Sequence, residues 1–300
     1  MVKKGKMLKR LVPVLILAFI FILIGCNKND DDVTLIKQLL DDSHYTQEST
    51  TAVTDDSSST PSQEKYPDSI LSWVRWVRRI ERPVTRHIDV IVNGDSAVAT
   101  ITALLTGTPP NYGFFVKNLT DTTRIYKRTI SDSTRRQVKL YKSANGWRIV
   151  AITVCNMNTV NGYAPITINE IKAEVLNRSY VFRLTDPAKF ITKESLPTFL
   201  PNDTIQVTVT ISVAGDSAWA FLHRGIGGIR IRRPFSKTGT NTFTRTWIVP
   251  EEAVTPPVVR HSAFDIIGWQ TLYGDSTATY CSRAWGLPYI IKRTTDTIPE

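Results

Sequence analysis

The sequence predicts two folded modules in series: an α+β module with helices first and an antiparallel sheet after, then an all-β sandwich. Three observations predict it. Apolar residues recur at helical spacing over 68–82. Residues 87–156 break into short alternating runs separated by turns that carry Asn and Gly. From about Pro165 onward the pattern is strand-like throughout. Helices followed by a run of antiparallel strands read as α+β, and many short strands with regular turn signals read as a sandwich.

Ahead of both modules stands an export signal. Lys3, Lys4, Lys6, Lys9 and Arg10 make a positive head with no acid, and Leu11 to Ile24 is apolar apart from Pro13. That run of about 14 residues is shorter than the roughly 20 a helix needs to span a bilayer core. It ends in Leu23-Ile24-Gly25-Cys26, which resembles the bacterial lipobox. The resemblance implies that residues 1–25 are a lipoprotein signal peptide and that Cys26 is lipidated. It also implies that acyl chains such as palmitate hold the protein to a membrane in the cell envelope. The competing reading is an uncleaved anchor in which Cys26 is incidental. Two or three acyl chains hold stably, at about 0.8 kcal/mol per buried methylene. An aspartate after the cysteine goes with inner-membrane retention in Gram-negative lipoproteins. This chain has Asn27, which implies outer-membrane sorting if the host is Gram-negative.

Cleavage before Cys26 would remove five basic residues and no acidic one, lowering the net charge from +10 to about +5. That is ordinary for a folded domain, and no nucleic-acid partner is expected. Cys155 and Cys281 are the other cysteines, and two buried thiols are expected ahead of a disulfide between modules. Without a CxxC or Cys/His cluster, neither a metal nor a cofactor is expected.

Residues 26–66 are rich in acids, Ser and Thr, and read as a polar tether that stands the protein off the membrane. One island, Val33 to Leu40, places Leu35, Ile36, Leu39 and Leu40 at helical spacing. The first module, 67–158, is open to recruiting that helix. Its own helix is predicted from Asp68 or Ser69 to Arg82, ended by Pro83. On a helical wheel Ile70, Trp73, Val74, Trp76, Val77 and Ile80 share one arc, while Arg75, Arg78, Arg79 and Arg82 share another. The apolar arc is expected to pack on the following sheet, with the arginines in water; the alternative is a basic, Trp-bearing helix lying on an anionic membrane surface.

Strands follow at His87 to Val92, Ala97 to Leu105, Phe114 to Lys117, Arg124 to Ile130, Gln137 to Lys142 and Trp147 to Asn156. Asn93-Gly94-Asp95-Ser96 and Ala144-Asn145-Gly146 supply hairpin turns. The element order over 33–158, with the closing Asn-Gly-Trp-Arg-Ile-Val-Ala-Ile stretch, resembles the nuclear-transport-factor-2-like family, also called cystatin-like or SnoaL-like. The resemblance implies a cone-like module, a curved sheet wrapped around a helix, with a pocket. That family holds both enzymes and non-catalytic binding modules.

In 165–292 the period of two is plainest at Ile205, Val207, Val209, Ile211 and Val213, which alternate with polar residues. Further strands read at 166–175, 180–184, 218–223, 230–233, 242–249, 263–267 and 277–281. This half resembles the immunoglobulin-like modules of bacterial surface proteins, without the paired cysteines of antibody domains.

Candidate chemistry is sparse. Gly-Asp-Ser at Gly94, Gly215 and Gly274 reads as three turns, since none has the second glycine of a nucleophile elbow. His87 and Asp89 share one strand face and would make an acid/base pair if that face lined a pocket; the alternative is an exposed rim pair. Gly225-Ile226-Gly227-Gly228 lacks the ending of a phosphate loop. Around it Arg224, Arg230, Arg232 and Arg233 form a patch that suits an anionic ligand, or equally a solvated edge strand. Trp219, Trp247, Trp269 and Trp285 are either core or a sugar-stacking face.

The function expected is a membrane-tethered, non-catalytic binding protein, with an envelope protein, a glycan or a small apolar molecule as partner. The rivals are a small-molecule enzyme of isomerase or hydrolase type working in the cone, and a structural spacer.

Overall fold

Alternation of buried and exposed side chains marks segments such as Ser96–Gly107, Ile130–Ser143 and Thr204–Val213. Residues 218–223, 262–268 and Ser282–Ile291 are buried on both faces, and the chain folds mainly as strands. The computed structural model describes residues 28–46, 74–118, 124–160, 162, 165–214, 217–226, 229–249 and 257–299. Helix α1 (Lys28–Asp42) comes first. The strands β1 (Val74–Arg79), β2 (Arg86–Asn93), β3 (Ser96–Gly107), β4 (Gly113–Asn118), β5 (Ile125–Arg128), β6 (Ile130–Ser143), β7 (Gly146–Ile152) and β8 (Cys155–Thr159) follow. Next are β9 (Ile166–Val175), β10 (Tyr180–Leu184), β11 (Ile191–Thr192), β12 (Thr198–Phe199), β13 (Thr204–Val213), β14 (Ala218–Ile226) and β15 (Ile229–Pro234). The last are β16 (Ser236–Gly239), β17 (Thr242–Ile248), β18 (Val258–Gly268), the short α2 (Trp269–Tyr273) and β19 (Ser282–Ile291).

These strands make three sheets. An 11-stranded sheet runs β11-β7-β6-β8-β19-β18-β14-β15, with β12 on β19 and the pair β2-β3 joined through β6. A five-stranded sheet has the order β10-β9-β13-β17-β16, and a three-stranded sheet the order β1-β4-β5. The strands β14, β18 and β19 form a middle layer. One face, with Phe264, Leu287 and Tyr289, meets Ile171 and Val207 of the five-stranded sheet. The opposite face presents Phe221 and Asp265 to Trp76 and Arg78 of β1. Burying both faces explains why β18 from Ser262 to Gly268 is buried at every position.

The α+β expectation is overturned. Among the described residues the helices are α1 and the five-residue α2, and the structure is mostly β-sheet. No helices-then-sheet cone is formed. Hydrogen bonding does not stop near residue 160 either: β8 pairs β19 from Cys155↔Gly286 to Asn158↔Arg283, so strands of the first half continue a sheet begun by the second. Where the helix from Asp68 or Ser69 to Arg82 was expected, the described part is β1, antiparallel to β4. Its inward residues are Trp76 and Arg78, with Arg75 and Arg79 outward. Helical and two-residue periods diverge here at Arg78, which a wheel sends to water and the fold buries. Residues 68–73 lie outside the described residues.

The strand expected at 277–281 is not formed, residues 274–281 being turn and irregular chain, but in β13 the alternation held. Ile205, Val207, Val209 and Ile211 of β13 are buried between exposed or half-buried polar neighbours. Gly94 and Gly146, at φ +58° and +104°, turn the β2–β3 and β6–β7 hairpins, a conformation that costs glycine little. The apolar island at Val33 to Leu40 lies within α1, whose Ile36 and Leu40 are fully buried.

Candidate functional site

The densest set of ionisable groups is sealed between β1 and the middle layer. Arg78 Nη1 lies 3.0 Å from Asp265 Oδ2, and neither side chain is more than 1% exposed. Its Nη2 donates to Asp265 Oδ1 at 3.3 Å and to the Ser282 hydroxyl at 3.1 Å. Ser282 Oγ donates in turn to Asp265 Oδ1 at 2.8 Å, and His223 Nε2 lies 3.1 Å from Oδ2. Register places three of the four together: Phe221 opposite Asp265 puts His223 two residues along β14, and Ile267 opposite Ser282 puts the hydroxyl beside the carboxylate, while Arg78 reaches in from β1. Burial alone would raise the Asp265 pKa, but the Arg78 guanidinium and the His223 contact hold it down at about 2.

A second carboxylate adjoins the first. Asp132 of β6 accepts from Thr159 Oγ1 at 2.7 Å and from Tyr280 Oη at 2.8 Å. Burial raises its pKa to about 6 against the pull of Arg78, whose guanidinium also lies 5.5 Å from the Tyr280 ring centroid. Aromatic groups close the top: Trp76 stacks on Phe114 at 5.1 Å, meets Phe221 edge-on at 5.1 Å, and carries Arg232 over its ring at 3.7 Å.

Serine, histidine and aspartate together suggest a hydrolase, but the connections are wrong for one. A nucleophilic serine donates to an imidazole that the aspartate orients from behind. Here the carboxylate is central and the serine donates to it directly. His223, Asp265 and Ser282 are all buried. What this arrangement does chemically is neutralise charge inside an interface, which binds β1 to β14, β18 and β19.

The residues singled out from the sequence do not converge. His87 Nε2 and Asp89 Oδ1 pair at 3.1 Å, yet both side chains are more than 70% exposed, on the outward face of β2. They line no pocket. Arg232 and Arg233 lie on opposite faces of β15, since Arg232 registers with His223 and Arg233 with Leu222. Arg232 donates to the Trp76 carbonyl at 2.8 Å, and Arg224 sits 4.7 Å from the Trp247 ring centroid. Arg230 stands opposite Gly225 in the strand register. Cys155 and Cys281 are both buried thiols. Trp219 and Trp285 are core, and Trp269 stacks on Tyr273 at 4.0 Å. Cys26 lies outside the described residues. Among the described residues no three His, Cys, Asp or Glu side chains gather as metal ligands would.

Two features escaped the sequence. The Arg78–Asp265 pair joins residues 187 positions apart, and no local pattern announces it. Between the middle layer and the five-stranded sheet lies an apolar cavity lined by Phe182, Phe199, Val207, Trp247, Phe264 and Tyr289, with room for about one water molecule.

No protein-family model matches the sequence, and no curated protein matches it. Among solved structures the chain is similar to a Niemann-Pick type C2 protein from Japanese carpenter ant, at 12% identity and a TM-score of 0.22. The match covers 36% of this chain and 84% of that one. A likeness so slight carries no argument about fold or ligand.

Proposed function

We propose that this chain is a lipid-anchored protein of the bacterial cell envelope whose β-rich body binds a partner and does not catalyse a reaction. The observation that carries the reading is Leu23-Ile24-Gly25-Cys26 behind a basic head and a short apolar run, since each feature answers to one step of export, cleavage and acylation. The sealed position of Asp265, His223 and Ser282 and the outward position of His87 and Asp89 support a binding role over an enzymatic one. The partner is another envelope protein or a glycan. The inter-sheet cavity is too small, as it stands, for the apolar molecule also considered.

Growth on labelled palmitate tests the anchor. The wild-type protein takes up label and partitions with membranes, and Cys26→Ser does neither. Uptake that is absent in the wild type, or unchanged in Cys26→Ser, refutes the proposal.

A further inference from the structure

The acidic stretch after Cys26 looks from its composition like a flexible spacer, but the structure places a docked helix there. Helix α1 begins at Lys28, two residues beyond Cys26. Its first turns are fixed to the body by Asp32, whose carboxylate accepts from Lys142 Nζ at 2.7 and 2.9 Å and from Trp147 Nε1 at 2.9 Å. Ile36 and Leu40 are fully buried beneath it. At its far end Asp41 lies 3.4 Å from Arg86, and the carbonyls of His44 and Tyr45 accept from His261 at 2.6 Å and Arg136 at 3.1 Å. The Tyr45 hydroxyl donates to the Pro299 carbonyl. Held between Asp32 and Tyr45, α1 runs antiparallel to β2 and points its N-terminus at one end of the sheet.

That end is made of two hairpin tips. Asp32 reaches Lys142 and Trp147, which flank the β6–β7 turn, and the Lys142 amide donates to the Asp95 carbonyl in the β2–β3 turn at 2.8 Å. From Asp32 back to Lys28 the helix rises about 6 Å. The two residues from Lys28 to Cys26 add at most about 7 Å when fully extended. Cys26 therefore lies within about 13 Å of Asp32, which itself touches the β6–β7 tip. The opposite end of β6, at Ile130, is about 43 Å away at roughly 3.3 Å per residue.

We infer that the body is held directly against the bilayer surface through α1, with the 93–96 and 143–146 tips at the lipid headgroups and the 108–112 loop turned outward. The inference rests on the lipidation of Cys26 proposed above. Side chains at this end suit such a boundary: Ile91 is 74% and Tyr141 43% exposed, and Trp147 is half-buried. The partner in this contact is the surface of the membrane that carries the anchor, and the outward loop, with exposed Asn111 and Tyr112, is left free for other molecules.

The test uses the full-length lipidated protein in vesicles containing headgroup-nitroxide lipid, with a fluorophore on Asn145→Cys or on Asn111→Cys, since Cys155 and Cys281 are buried. Quenching is expected to be several-fold stronger at 145 than at 111. Inserting a 20-residue Gly/Ser linker between Asn27 and Lys28, with a span of about 25 Å, is expected to bring quenching at 145 down to that at 111. Equal quenching at the two sites in protein that has taken up palmitate overturns the inference and leaves the anchor standing. So does quenching at 145 that the linker does not change. Failure to take up palmitate removes both readings.

Discussion

Arg78 and Asp265 meet across the interface between β1 and β18, 3.0 Å apart and shut away from water. A buried guanidinium and carboxylate are each costly alone, and the geometry offsets that cost through paired contacts and the Ser282 hydroxyl. The pair explains why β1 lies where it does. A six-residue strand carrying three arginines would otherwise be expected at the surface.

Breaking the pair from one side should be severe. Arg78→Met leaves Asp265 charged and buried, at an expected loss of roughly 3–5 kcal/mol in urea unfolding. The double variant Arg78→Met, Asp265→Leu should recover part of that loss, because the carboxylate at 265 is removed along with its partner, while Asp132 still loses the Arg78 charge. A double variant that loses the sum of the two single effects would show that the two side chains do not act as a pair.

Asp132 predicts a pH dependence of the opposite sign to Asp265. Burial lifts its folded pKa to about 6, above the ordinary carboxylate range near 4. The folded state keeps this proton longer than the unfolded chain. Its contribution to stability is therefore full below about pH 4 and is lost as pH rises through about 6. For Asp265, held near 2, the contribution is lost as pH falls from about 4 toward 2. His261, which burial and Arg136 hold down at about 4, adds a slope of its own between pH 4 and 6.5. Wild type and Asp132→Asn share that slope, so it cancels between them. Urea midpoints at pH 4, 5, 6 and 7 should show the wild type's advantage over Asp132→Asn shrinking with pH. A constant difference would contradict the assignment.

His87→Ala should change little. The pair with Asp89 is exposed on both sides, and such pairs contribute less than about 1 kcal/mol. Thermal unfolding of the variant should match the wild type within about 0.5 kcal/mol. A larger loss would place His87 in a contact beyond the Asp89 pair.

How far the fold could be read from the sequence depended on what made each position buried. In β13 the inward residues are Ile205, Val207, Val209 and Ile211, so hydropathy and burial agree and the strand was plain. In β1 the inward residues include Arg78, buried because Asp265 receives it, and hydropathy pointed the wrong way. The error spread: a helix there made the first half α+β, whereas β1 is one strand of a small sheet laid on the middle layer. The buried cluster was illegible for the same reason. His223, Asp265 and Ser282 sit on different strands, and their register becomes visible only once β14, β18 and β19 are paired. The exposed His87–Asp89 pair was legible because two-residue spacing alone puts both on one face.

Acyl chains on Cys26 are proposed to hold this body at a membrane. Mass spectrometry of the N-terminal peptide from protein extracted out of membranes addresses it directly. The expected peptide begins at Cys26 and carries acyl chains. A chain that still begins at Met1, with an unmodified thiol at Cys26, contradicts it.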